Sequence, residues 1–167
     1  LLGRFNFIPP PPPLTRDMLK PGKILVQISE EGVPDEKSWP HYPEVAETYS
    51  ASAFGFFDWP QKYVGTGVRG ERSNPSHFRA AALVKLPKGK HRLLLRGRGM
   101  SRLFIDEKEV ISSPGSRIGG DNNPLSKQDD YLDLGPDFRF SPPGNSEKSV
   151  EFESKGGVHF IILESLI

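Results

Sequence analysis

The stretch His77-Phe78-Arg79-Ala80-Ala81-Ala82-Leu83-Val84-Lys85-Leu86-Pro87-Lys88-Gly89-Lys90-His91-Arg92-Leu93-Leu94-Leu95 decides the fold class of this chain. Phe78, Ala80, Ala82, Val84 and Leu86 share one parity and Arg79 and Lys85 the other, the period of two that a strand with one buried face requires. Pro87-Lys88-Gly89-Lys90 reads as a turn into a second strand, His91 to Arg96. Gly97 to Met100 reads as another turn, into Ser101-Arg102-Leu103-Phe104-Ile105-Asp106. Glu107-Lys108 then reverses the chain into Glu109-Val110-Ile111. Four short strands at this spacing predict an antiparallel meander rather than a parallel α/β sheet.

Outward from this block the same signals continue. Lys23-Ile24-Leu25-Val26-Gln27-Ile28 is a β-branched run after Pro21-Gly22 and reads as a first strand. Ser149 to Ser154 and Val158 to Leu163 read as two closing strands that meet across Gly156-Gly157, and Tyr131-Leu132-Asp133-Leu134 is a further strand candidate. Ser112 to Gln128 reads as a long loop. Composition agrees: 17 Gly and 17 Pro among 167 residues oppose a helical bundle, because Pro breaks helix interiors and Gly weakens them. The 11 Phe, 4 Tyr and 2 Trp supply an aromatic core, and a chain of this length folds as one domain without disulfides. The predicted class is all-β, an antiparallel sandwich or barrel with long loops spanning 23–167, preceded by an extended arm over 1–22.

The absence of Cys excludes a thiol nucleophile, a thiolate metal site and a redox motif. A net charge of +1 gives no global attraction to nucleic acid or membrane, and no stretch approaches the roughly 18 apolar residues of a membrane span. The charges are nonetheless in blocks. Arg72 to Ile105 holds nine Lys and Arg with no acid, whereas Glu30 to Asp58 and Asp121 to Glu153 are acidic. Blocks of this kind in a β domain are expected to fall on adjacent strands and neutralise one another. The chain starts Leu1-Leu2-Gly3 without an initiator Met, so a piece of a larger polypeptide is expected, with any signal or anchor outside it.

Pro9, Pro10, Pro11, Pro12 and Pro13 are consecutive and will form a polyproline II rod. With Phe5 and Phe7 ahead of it, this arm is a candidate for docking on the domain or on a partner protein. A stiff linker is the plainer alternative.

Leu86-Pro87-Lys88-Gly89-Lys90-His91-Arg92-Leu93-Leu94-Leu95, followed by Ser101-Arg102-Leu103-Phe104-Ile105-Asp106, resembles the central signature of the anthrax protective-antigen (PA-14) domain family. Gly157-Val158-His159-Phe160-Ile161-Ile162-Leu163-Glu164 is similar to that family's last strand. The resemblance is specific over residues 78–111 and 156–164. It implies a β-sandwich or barrel of the kind carried by secreted glycosidases, adhesins and toxins, with carbohydrate binding as the common function. In the adhesin branch two adjacent Asp residues just before the Leu-aromatic-Ile-Asp strand hold a calcium ion that ligates sugar hydroxyls. The matching positions here are Arg98 and Gly99, and the hairpin Gly of the family is Glu107.

Arg96, Arg98 and Arg102 therefore form a candidate cationic patch at the loop where that branch binds its ligand. A uronic acid, sulfate or phosphate would suit it. Salt bridges to the acidic blocks are the competing reading. Trp39 and Trp59, in Pro-rich loops, are candidates to stack on sugar rings, against a role in capping the core. Asp121, Asn123, Asp129 and Asp130 group oxygen ligands suited to calcium on one long loop, though turn formation uses the same residues. Calcium is the one cofactor candidate. Gly65-Thr66-Gly67-Val68-Arg69-Gly70 matches a dinucleotide fingerprint, but no helix or βαβ unit surrounds it. His159, in an apolar strand, is expected to be a packed, hydrogen-bonded core residue. The expected function is a non-catalytic, extracytoplasmic binding module for carbohydrate. The alternative is a structural or interaction subunit or domain of a larger membrane-associated or cell-surface assembly, docked through its N-terminal arm.

Overall fold

The computed structural model describes residues 14–30, 43–56, 62–63, 69–70, 72, 75–115, 132–139, 141 and 144–166. They form ten strands and one 3-10 turn, Arg16–Met18. The strands are β1 Ile24–Ser29, β2 Glu47–Ala51, β3 Lys62–Tyr63, β4 Arg69–Gly70, β5 His77–Leu86, β6 Gly89–Gly97, β7 Met100–Ile105, β8 Lys108–Ser113, β9 Ser146–Ser154 and β10 Gly157–Leu166. A six-stranded antiparallel sheet runs β2-β1-β5-β10-β7-β8, and β3-β4 and β6-β9 are separate pairs. The sheet stays open between β2 and β8, so the all-β architecture is a sandwich and not a closed barrel.

The meander expected over 77–113 is not formed; of the strands within it, only β7 and β8 pair with each other. β5 lies between β1 and β10, while β6 pairs with β9. The registers explain why. Leu86 faces Gly157 at the end of β5-β10, and Gly89 faces Ser154 at the start of β6-β9. Two residues separate each pair on both chains, so the register passes through without a slip. Chain 77–97 and chain 146–166 are thus one long antiparallel ribbon, bent once. The Pro-x-Gly signal at Pro87-Lys88-Gly89 turns the ribbon over the main sheet, as strands that switch sheets do at sandwich corners. Pro87 cannot donate a ladder hydrogen bond. Opposite it, Gly156 and Gly157 have φ of +90° and +109°, which L side chains rarely adopt. The two closing strands likewise do not pair across Gly156-Gly157.

β5 is a central strand buried on both faces, not on one. Phe78, Ala80 and Ala82 pack with Ile24, Val26 and Ile28 on one side, joined by Phe56, whose ring meets Phe78 edge-on at 4.5 Å. On the other side Ala81 packs with Phe160 and Ile162. The small Ala80, Ala81 and Ala82 stand opposite Leu163, Ile162 and Ile161 of β10, so small and large side chains alternate across the ladder.

The second face is covered by the chain ahead of β1. Leu14 and Leu19 are buried there with Phe160 and Ile162. Backbone bonds from Met18 to Thr15 and from Leu19 to Arg16 hold the 3-10 turn, and Pro21-Gly22 turns the chain into β1. Within residues 14–22, read from sequence as part of the arm, Leu14 and Leu19 are thus core residues, while Thr15, Arg16, Asp17, Lys20, Pro21 and Gly22 stay exposed. The polyproline run and Phe5 and Phe7 lie outside the described residues.

The charge blocks meet as expected. Across β6-β9, Lys90 faces Glu153, Arg92 faces Glu151 and Arg96 faces Glu147. Arg72, nearly buried, pairs with Glu47 of β2 and lies 3.7 Å from Glu30. Opposite charges on facing positions stabilise the register, and like charges would oppose a slipped one.

The β7-β8 hairpin turns through Asp106 and Glu107, with φ of +48° and +68°. Two consecutive left-handed residues define the turn type that favours Asn-Gly or Asp-Gly. Asp106 suits its place; Glu107 occupies the place best suited to Gly. Glu107→Gly is therefore expected to stabilise the domain by about 0.5–1 kcal/mol, read as a raised urea midpoint with unchanged m-value.

Candidate functional site

Three groups of polar residues stand out, and they differ in what they can do. The first lies at the end of the sandwich where β6 passes into β7. Arg96 Nε donates to Glu147 Oε1 at 2.6 Å, and the same guanidinium donates to the Arg139 carbonyl at 2.8 Å. The Glu147 side chain is 2 % exposed, and its second oxygen accepts the Leu132 N–H at 3.0 Å. One buried carboxylate and one arginine thus clamp both ends of the segment 132–139 to the ribbon. Inside it, Asp133 Oδ1 accepts the Gly135 N–H at 3.0 Å, and the Gly135 carbonyl accepts the Phe138 N–H at 3.2 Å. Leu132-Asp133-Leu134 is consequently not a strand, because a side chain has taken the N–H that a ladder would use. The clamp leaves Phe138 58 % exposed at the tip. Nearby, Gly115 approaches the backbone of Arg98, Gly99 and Met100 so closely that a Cβ would lie 2.8 Å from Gly99.

Arg98 is exposed at the β6-β7 link. Arg96 is committed to Glu147, and Arg102 lies 3.7 Å from Glu109. Arg96 and Arg102 also lie on strands of different sheets. Arg96 lies on β6, where its guanidinium is held by the buried Glu147 carboxylate and the Arg139 carbonyl. Arg102 instead shares the face of β7 that carries Phe104, beneath which Leu14 and Leu19 pack. The three arginines are not brought together as one patch. Trp39, Trp59, Asp121, Asn123, Asp129 and Asp130 lie outside the described residues. Among the described residues no group of three His, Asp or Glu side chains is placed to hold a metal ion.

The second group is a relay at the bend. Asp106 Oδ2 is 2.7 Å from His159 Nδ1, and His159 Nε2 is 2.8 Å from Ser154 Oγ. A carboxylate only accepts, so Nδ1 carries a proton. In the neutral ring Nε2 therefore accepts from the Ser154 hydroxyl. Asp106 Oδ1 also accepts the Phe160 N–H, and the Asp106 N–H donates to the Phe160 carbonyl. Burial pushes the Asp106 carboxyl up, but the Phe160 N–H, the His159 ring and the charge of Arg16 outweigh it and hold it below its usual value.

This order of groups is that of a serine hydrolase triad, but its accessibility is not. Ser154 is 1 % exposed, and its oxygen already accepts the Gly156 N–H at 2.9 Å. Phe152 lies edge-on against the His159 ring at 5.4 Å. No acyl group can reach the hydroxyl. What the relay does is tie the β7-β8 turn, the start of β10 and the end of β9 across the bend. Sequence reading placed His159 as a packed core histidine but missed its partners. The available signal was that Asp106 and His159 each sit inside a stretch that carries the family resemblance.

The third group is a row on the face covered by Leu14 and Leu19. Gln27, Arg79, Glu164 and Arg102 occupy register positions side by side on β1, β5, β10 and β7. Arg79 Nε is 2.9 Å from Glu164 Oε1, whose side chain is 1 % exposed. His77, next along β5 and also buried, has its pKa lowered to about 4 by burial and by the Arg79 charge.

Comparison with known proteins gives a fold likeness. No family model matches the chain, and no curated protein matches it. Among solved structures, a β-glucosidase from Kluyveromyces marxianus in complex with glucose is similar over 86 % of this chain, with a TM-score of 0.50 and 8 % identity. The chain spans 14 % of that protein's length. At this identity the likeness is one of fold. Among the described residues no helix is long and apolar enough to cross a membrane.

Two outcomes test these assignments. Arg96→Ala leaves the Glu147 carboxylate buried without its cation, so it should destabilise the domain by about 3 kcal/mol in chemical denaturation. His77 titrates lower in the folded state than in the unfolded chain, so its neutral form favours folding. That contribution is whole above pH 6.5 and is lost as the pH falls toward 4, by about 3 kcal/mol in all. Urea midpoints at pH 7 and 4.5 should diverge in the wild type and diverge less in His77→Asn.

Proposed function

We propose that this domain is a non-catalytic, extracytoplasmic carbohydrate-binding module of the protective-antigen-domain type, carried within a larger protein. One observation carries the reading. The two stretches that resemble the family, Leu103-Phe104-Ile105-Asp106 and Gly157 to Glu164, lie side by side as β7 and β10. Asp106 clamps one to the other through His159 and Phe160. Motifs far apart in sequence thus act as one structural unit. The fold likeness to a small part of a β-glucosidase supports the same reading, because the resemblance implies a module that accompanies glycosidases. The occlusion of Ser154 argues against hydrolysis at the relay. Calcium enters only as a variable of the test, since Arg98 and Gly99 stand where the adhesin branch has its two acidic ligands.

A second reading, a structural subunit docked through the N-terminal arm, draws on the burial of Leu14 and Leu19. A stiff run that leads directly into core residues would transmit a fixed orientation to whatever it bound. Truncation that tests it must stop at Pro13, because removing Leu14 opens the core at a cost of about 2–5 kcal/mol.

A glycan array probed with and without calcium checks the first reading. Retention of a defined set of glycans is the expected result, and no retention in either condition sinks it. If deletion of 1–13 instead abolishes assembly with other proteins while the domain stays folded, the second reading takes its place.

A further inference from the structure

We propose that the segment 132–139 is a sugar-binding site in which the Phe138 ring stacks on the apolar face of a neutral pyranose. The inference rests on the carbohydrate-binding reading and names the site and ligand class within it.

Phe138 is the most exposed of the large hydrophobic side chains identified as exposed among the described residues, at 58 %, where large aromatics are ordinarily covered. Its exposure is held by construction. The ring sits in a turn closed by the Gly135–Phe138 backbone bond and by Asp133 on Gly135. That turn is clamped at both ends through Arg96 and the buried Glu147 carboxylate. A backbone turn held before the ligand arrives loses little conformational entropy on binding.

The surroundings set the ligand class. Phe138 is flanked in sequence by the exposed Asp137 and Arg139, and the face of one aromatic ring matches the apolar face of one sugar ring. Asp133, Asp137 and Arg139 are exposed in the same segment and can exchange hydrogen bonds with hydroxyl groups. Two carboxylates beside one guanidinium repel an anionic ligand. Arg96, which could have shifted that balance, is spent on Glu147. The site therefore prefers a neutral sugar over a uronic acid or sulfated one.

Saturation-transfer and amide chemical-shift NMR on the whole chain, with matched neutral and acidic oligosaccharides, test this. A neutral oligosaccharide should perturb amides clustered within 132–139. Phe138→Ala should weaken its binding roughly tenfold, while Phe138→Trp keeps it. Both variants should leave the thermal midpoint unchanged, since the ring is exposed. Wild-type binding that Phe138→Ala leaves intact overturns the site but not the carbohydrate reading. Tighter binding of the acidic member of a pair overturns the assigned ligand class. Failure of the wild type to bind any member overturns both the site and the reading on which it rests.

Discussion

The unbroken register between chain 77–97 and chain 146–166 is the constraint on which the other features depend. A ribbon of two strands that continues through its own bend forces both chains to leave the main sheet together. That requires a residue without a ladder N–H on one side and left-handed backbone on the other. Pro87 and the pair Gly156-Gly157 meet those demands. Once the ribbon folds over, Phe152 reaches the His159 ring, and Ser154 comes within hydrogen-bonding distance of it. The relay to Asp106 then fastens the bend to the β7-β8 turn. Its polar atoms are committed to one another, so the bend costs no buried unpaired group within it.

Charge performs a second task in the same ribbon. Facing bases and acids on β6 and β9 favour one register over its neighbours, which matters because a slip by one residue would exchange the two faces. At the far end of the ribbon the last of these pairs, Arg96 with Glu147, is half buried and does more. It converts register into loop geometry by holding Leu132 and Arg139. The same carboxylate that closes the ribbon thereby sets the tip on which Phe138 stands.

Much of the strand content could be read along the chain, and so could the mutual neutralisation of the charge blocks. The Pro-x-Gly at residues 87–89 marks a change of direction but not its kind, because a hairpin and a sheet-switching bend carry the same local signal. In sequence β5 reads as one-faced because Arg79 and Lys85 share a parity with Ala81 and Leu83. In the fold Ala81 is fully buried and Arg79 is paired with a buried Glu164, so polarity did not mean exposure. The arginine candidates show the same gap. Arg96 and Arg102 are close in sequence, yet the change of sheet between β6 and β7 gives them different partners, Glu147 and Glu109.

What the sequence by itself determined is therefore local: a β chain, the period-two faces of its strands, the turn-forming residues and a balanced set of charges. These follow from backbone sterics and side-chain alternation, which each segment carries within itself. What only the tertiary structure decided is partnership: which strand completes β6, which face of β5 is covered by Leu14 and Leu19, which histidine meets which aspartate, and which aromatic stays in water. Each of those depends on chain brought in from far along the sequence, and burial belongs to the meeting of two segments rather than to either alone.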